Sequence, residues 1–211
     1  MNLERIPLGE LWTNCYIVWD KNKKGIIVDP GGDAKAVLQY ISQNGIDIEY
    51  VLLTHGHADH IGGLEQVRAL AKCGVAIHEA DAACLTDARK NLSAAFGQAF
   101  CALEAEKKLR DGEILQVGEL NIEVIHTPGH TLGGVCFYIK DENDEILLCG
   151  DTLFARSIGR TDLYGGDEAT LINSLSKLER FKDELKAYPG HGPKTSIGEE
   201  KRYNPYWPKK S

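Results

Sequence analysis

The stretch Tyr50-Val51-Leu52-Leu53-Thr54-His55-Gly56-His57-Ala58-Asp59-His60 runs a compact apolar strand into a loop crowded with histidine and aspartate. Its apolar residues are consecutive rather than alternating, the pattern of a strand covered on both faces. A helix follows over Gly63–Cys73, with Leu64, Val67, Leu70 and Ala71 on one stripe, and Val75–His78 reads as a further strand. Upstream, Cys15–Asp20 and Gly25–Asp29 read as neighbouring strands joined by a lysine-rich turn. Pro30-Gly31-Gly32 stops the second of these. Asp33 then stands where it can cap a helix that turns Val37, Leu38 and Ile41 inward.

Downstream, residues 79–108 are alanine-rich, weakly periodic and broken by Gly97, and are expected to form one or two helices. Strand patterns resume at Ile114–Val117, Leu120–His126, Gly134–Ile139 and Glu145–Cys149. A helix over Asp167–Phe181 precedes a short strand, Leu185–Tyr188, and the tail Ile197–Ser211 is expected to lie over the surface. Two batches of strands, each closed by helices, predict an α/β fold: a four-layer αββα sandwich of two facing mixed sheets with outer helices. The histidines fall at the turns after strands, so one rim of the sandwich should carry them.

The chain has 211 residues, 43% of them hydrophobic and 26% charged, which is ordinary globular composition. A net charge of −7 argues against a nucleic-acid partner bound through a broad basic face. No apolar stretch is long enough to cross a bilayer, and MNLERIPLGE lacks the apolar run of an export signal, so a cytoplasmic protein without a membrane partner is expected. The cysteines at 15, 73, 84, 101, 136 and 149 contain no C-x-x-C pair and read as reduced thiols. Any bound metal must then be held by histidine and carboxylate.

At this composition, H-x-H-x-D-H arises by chance in about one chain in two thousand. Imidazole nitrogen and carboxylate oxygen are the ligands that divalent metals such as zinc take. Four such side chains on one short loop suggest two adjacent ions. Further ligands stand in matching settings, each at a strand end followed by glycine: His130 in Thr127–Thr131, Asp151 in Gly150–Thr152, and His191 in Pro189–Gly192. His78 and His126 lack that context and are read as core histidines or residues behind the ligands.

These residues resemble the metallo-β-lactamase-fold hydrolases, and within them the glyoxalase II (hydroxyacylglutathione hydrolase) branch. The matching stretches are Val28–Gly31, the H-x-H-x-D-H loop, Thr127–Thr131, Gly150–Phe154, Gly159–Asp162 and Tyr188–Gly192. GDTLF, IGRTDL and the closing GEEKRYNP look like a short bacterial subgroup. The resemblance implies one domain over 1–211, without the C-terminal helical domain that grips glutathione in longer relatives. It implies one metal on His55, His57 and His130, and a second on Asp59, His60 and His191. Asp151 and a hydroxide would bridge the two, Asp59 would orient the attacking water, and Asp29 would brace the histidine loop from behind. The implied cofactor is two divalent ions, zinc foremost, with iron or manganese as substitutes. The implied reaction is hydrolysis of small-molecule thioesters of the S-lactoylglutathione type.

Arg160 and Asp162 read first as an ion pair bracing a turn. Arg160 and Tyr164 are the alternative candidates for the substrate mouth. Competing functions are a persulfide dioxygenase holding a single iron and a lactonase of the same fold. A β-lactamase is disfavoured on the expectation that those enzymes lack the Asp59–His60 pair.

Overall fold

In the computed structural model, which describes residues 1–208, twelve strands form two mixed six-stranded sheets. The first sheet runs in sequence order through β1 (Asn2–Leu8), β2 (Thr13–Trp19), β3 (Lys24–Val28), β4 (Asp47–Leu52), β5 (Val75–His78) and β6 (Lys107–Leu109). β1 to β3 are antiparallel, whereas β3 to β6 run parallel. The second sheet contains β7 (Ile114–Val117), β8 (Leu120–His126), β9 (Val135–Lys140), β10 (Glu145–Gly150), β11 (Lys186–Pro189) and β12 (Thr195–Ser196), again in chain order across the sheet.

Side-chain alternation along the strands builds the layers. Tyr16 and Val18 of β2 join Ile26, Val28 and Leu52 against Ile122, Val124, Phe137 and Leu148 of the second sheet. The intervening residues Cys15, Ile17 and Trp19 face the other way, onto Val37 and Ile41 of α1 (Lys35–Asn44) and Leu64 and Val67 of α3 (Leu64–Val67). On the far side of the second sheet, Cys136, Leu147 and Ala187 meet Leu175 of α4 (Glu168–Ser176) and Ile197 of α5 (Ile197–Tyr203). Three apolar layers between four structural layers make the αββα sandwich that the strand batches predict.

Several local expectations are corrected. The first strand, β1, was not expected: Pro7 and alternating charges disguise it, and an edge strand tolerates both. Asp33 does not cap α1; its carboxylate accepts from Lys35 N at 3.2 Å. The helix expected over Gly63–Cys73 is α3 followed by a 3-10 turn at Arg68–Leu70, because Lys72 N and Cys73 N donate instead to Ile48 and Glu49 carbonyls. Segment 79–108 forms no α-helix. Beyond a 3-10 turn at Glu79–Cys84, Asp87 accepts from Arg89 N and Asn91 from Ser93 N, local bonds that compete with helix formation. The tail does not merely cover the surface. Ser196 caps α5 by accepting from Glu199 N, and Ile197 and Trp207 are buried in the outer core. Residues 209–211 of that tail lie outside the described residues. Among the described residues no helix is long and apolar enough to cross a membrane.

Candidate metal centre

Four connections leave the same rim of the sandwich and bring the seven predicted ligands together. His55 and His57 lie between β4 and α2 (Ala58–Ile61), and Asp59 and His60 lie on α2 itself. His130 follows β8, Asp151 follows β10 and His191 follows β11. Three overlapping groups, His55/His57/His130, His55/His60/Asp151 and Asp59/His60/His191, each hold their ligand atoms within 4.8 Å of one another.

The hydrogen bonds on the outer nitrogens show which way the rings face. His60 Nδ1 donates to Asp29 Oδ2 at 2.9 Å, His130 Nδ1 to the Arg160 carbonyl at 2.7 Å, and His191 Nδ1 to the Leu11 carbonyl at 3.0 Å. His55 Nδ1 lies 3.1 Å from the Thr54 hydroxyl, which itself donates to Asp29 Oδ2 at 2.6 Å. Each of these four rings therefore spends its N–H outward and turns an Nε2 lone pair toward the centre. An imidazole fixed in this way through its distal nitrogen is the usual setting of a metal-ligating histidine.

The inward atoms crowd one another. His55 Nε2 and His57 Nδ1 are 3.1 Å apart, and His60 Nε2 and His191 Nε2 are 3.3 Å apart. Asp151 Oδ1 lies 3.4 Å from His60 Nε2, while its Oδ2 lies 3.5 Å from His130 Nε2 and 3.6 Å from His191 Nε2. Asp59 Oδ2 lies 3.1 Å from His191 Nε2. Ligands about 2.0–2.1 Å from a tetrahedral ion stand roughly 3.3 Å apart, and these spacings scatter around that value. His57 Nε2, His130 Nε2 and Asp151 Oδ1 are also buried without a hydrogen-bond partner. Converging acceptors and orphaned polar atoms fit a site for cations.

Electrostatics agree with that fit. Burial, then the neighbouring imidazoles, holds His55 far below the usual histidine range and pushes His57 down to about 3, which favours the neutral, lone-pair-bearing ring at both. Burial disfavours charge on His60 too, but Asp151, Asp59 and Asp29 outweigh it and raise its pKa well above the usual value. The same pairs hold the Asp59 and Asp151 carboxyls below the usual range despite burial. Three carboxylates around one imidazole favour a positive charge at its Nε2 side, and a divalent ion can carry that charge in place of a proton.

Asp29 sits behind this array. Its backbone is left-handed (φ 52°), and its carboxylate accepts from Thr54 N at 2.8 Å as well as from Thr54 Oγ1 and His60. Gly56 serves close approach: a Cβ there would lie 2.3 Å from Cys84 Cβ. Arg160 forms a bidentate pair with Asp162 (2.8 and 2.9 Å) and turns outward; only its carbonyl touches the cluster. Neither Arg160 nor Tyr164 lines the groove beside Asp59. His78 and His126 stack on each other with centroids 4.0 Å apart and belong to none of the three ligand groups.

Two supporting residues had no sequence signal. Asp81 is 1% exposed and accepts from Gly56 N (3.1 Å), Thr131 Oγ1 (2.7 Å) and Gly133 N (2.6 Å), tying the His55–His57 loop to the His130 loop. Asn14 on β2 donates to the Pro189 and Gly192 carbonyls at 2.9 and 3.0 Å, pinning the His191 turn to the first sheet.

Fold and centre together define a metal-dependent hydrolase built on an αββα sandwich. The chain belongs to the metallo-β-lactamase superfamily, whose family model matches residues 8–191. It is 38% identical to hydroxyacylglutathione hydrolase GloC of Haemophilus influenzae, over 100% of both chains. Among solved structures it resembles BLEG-1, a B3 metallo-β-lactamase, at a TM-score of 0.91 and 36% identity, covering 97% of this chain and 99% of that one. It also resembles TTHA1623 in a di-iron-bound form, at a TM-score of 0.83 and 31% identity, covering 96% and 99%.

Proposed function

We propose that this protein hydrolyses small-molecule thioesters of the S-lactoylglutathione type at a dinuclear metal centre. The observation that carries the proposal is the set of four imidazoles with outward N–H groups satisfied and Nε2 atoms converging on Asp59 and Asp151. His55, His57 and His130 would hold one ion and Asp59, His60 and His191 the other. Asp151 would reach both, since its two oxygens face His60 on one side and His130 and His191 on the other.

When bound, divalent ions there supply Lewis acidity, lowering the pKa of coordinated water toward about 7 and polarising an acyl carbonyl. The chain's own residues supply position and proton placement. Asp59 is held by Thr13 Oγ1 (3.3 Å) and His191 (3.1 Å), and its side chain is one-quarter exposed, so it can orient a water at the substrate face. Asp29 and Thr54 keep His55 and His60 in the tautomers that leave Nε2 free. A thiol pKa near about 8.5 lets thiolate depart without a general acid. Zinc is the first candidate for the ion, and the di-iron relative supports iron as the second. Six free cysteines, four of them buried, support a reducing, cytoplasmic setting.

The test is metal analysis of the reconstituted protein alongside hydrolysis of S-lactoylglutathione followed by thiol release. Two ions per chain with thiol release are expected. A maximum of one ion, with oxygen uptake on a persulfide, would replace this reading by the dioxygenase, and hydrolysis confined to lactones would replace it by the lactonase. The BLEG-1 likeness favours β-lactam hydrolysis as a second reading, tested by turnover of a chromogenic cephalosporin.

A further inference from the structure

A groove of about 480 Å³ opens beside Asp59, between the β1–β2 hairpin and the loop around residues 93–100. Leu8, Leu11, Phe96 and Phe100 line it, and among the described residues its charged lining residues are Glu10 and Asp59. Among the described residues no lysine or arginine lines it. Leu11 is 60% and Phe96 69% exposed, an unusual amount of apolar surface to leave at the edge of a polar centre. The groove is continuous with the cluster through two residues. Asp59 belongs to both, and Leu11 offers its side chain to the groove while its carbonyl holds His191 Nδ1 at 3.0 Å.

Glutathione carries two carboxylates and an ammonium group. A groove with apolar walls and two acids offers its carboxylates no cationic partner and would have to desolvate them. An uncharged hydrocarbon arm meets the opposite situation, because it covers Leu11 and Phe96 and leaves no polar group unpaired. We propose that this groove selects thioesters bearing an uncharged aliphatic or aromatic arm, on the acyl or the thiol side, over those bearing the charged groups of glutathione. This rests on the thioesterase reading and specifies its substrate class.

The experiment measures kcat/KM for two series with the metal-loaded protein: acetyl to hexanoyl thioesters of one small uncharged thiol, and acetyl thioesters of thiols of rising chain length. A fully buried methylene is worth about fourfold, so at least a tenfold rise is expected across one series, and the series that rises identifies which side enters the groove. Phe96→Asp should flatten that rise. Leu103→Asp, at an exposed leucine outside the groove, should preserve it. Flat series in a protein that still hydrolyses the acetyl substrate, or a preference for glutathione over the uncharged thiols, would overturn the assignment while leaving the thioesterase reading intact. If no thioester is hydrolysed, the thioesterase reading fails, and titration with hexanamide decides the groove separately. Shifts of the Leu11, Phe96 and Phe100 resonances support it, and their absence overturns it.

Discussion

Asp81 offers the sharpest test of how the two histidine loops are held in register. Its carboxylate takes three hydrogen bonds, from Gly56 N, Thr131 Oγ1 and Gly133 N, at a site with 1% exposure. Asp81→Ala strands all three donors, and each buried donor without an acceptor costs about 1–3 kcal/mol. Removing a buried carboxylate gives part of this back, leaving a net loss of roughly 3–5 kcal/mol, a large share of the ~5–15 kcal/mol that holds a typical domain folded. Asp81→Asn is the more informative change. Its amide oxygen can still serve Gly56 and Thr131, but its NH2 then faces the Gly133 N–H, so one bond becomes a donor–donor contact at a cost of about 1–3 kcal/mol. Because Asp81 braces the loops that carry His55, His57 and His130, metal affinity should fall about 10–100-fold.

The same carboxylate gives a pH signature. Burial raises its pKa above the usual aspartate value, even though its three hydrogen bonds pull the other way. The folded state therefore holds the Asp81 proton to higher pH than the unfolded chain does. In the window between the unfolded pKa of about 3.9 and the raised folded value, the contribution of Asp81 to stability falls as pH rises. Urea denaturation of the metal-free protein across that window should show this slope in the wild type and its loss in Asp81→Asn. If Asp81→Asn unfolds within about 0.5 kcal/mol of the wild type and keeps its metal affinity, the brace assigned to Asp81 is wrong.

Two further outcomes follow from the cluster. Asp151→Ala should bind metal poorly at both positions, whereas His126→Ala, at a ring stacked on His78, should keep nearly full metal content; elemental analysis showing equal loss would break the ligand assignment. Gly31→Ala places a Cβ 1.9 Å from the Asp59 carbonyl oxygen and 2.8 Å from Thr13 Cβ, so the chain at Asp59 must shift, at about 1–3 kcal/mol or more. Calorimetric titration should then find the site containing Asp59 weakened more than the one containing His57, and equal weakening would argue against the division into two sites.

The layered fold was legible because burial leaves its mark on strands. The consecutive apolar run Tyr50–Leu53 marks β4 as covered on both faces, and Ile122, Val124, Phe137 and Leu148 meet it from the second sheet. Where the pattern misled, other forces decided the backbone. Alanine in 79–108 suggests helix by propensity, but Asp87, Asn91 and Ser93 bond to nearby backbone groups and fold the segment as turns. β1 has only one well-buried residue, Leu8, and earns its place by seven-residue pairing with β2, which no local apolar pattern announces.

The centre divides along a similar line. Its candidate ligands were legible because all seven lie on connections that leave strand ends, Asp151 and His191 within two residues of β10 and β11 and the others three to eight residues on. What orients those ligands was not. Asp81 is an ordinary aspartate in an alanine-rich segment, and only the tertiary fold brings it between Gly56 and Gly133, residues on two different loops. His130 and His191 are aimed by the carbonyls of Arg160 and Leu11, and every residue carries a carbonyl. The side chain at 160 drew attention through its charge, yet it turns away to Asp162. The path of the chain through 160, rather than the arginine it carries, sets which nitrogen of His130 faces the cluster.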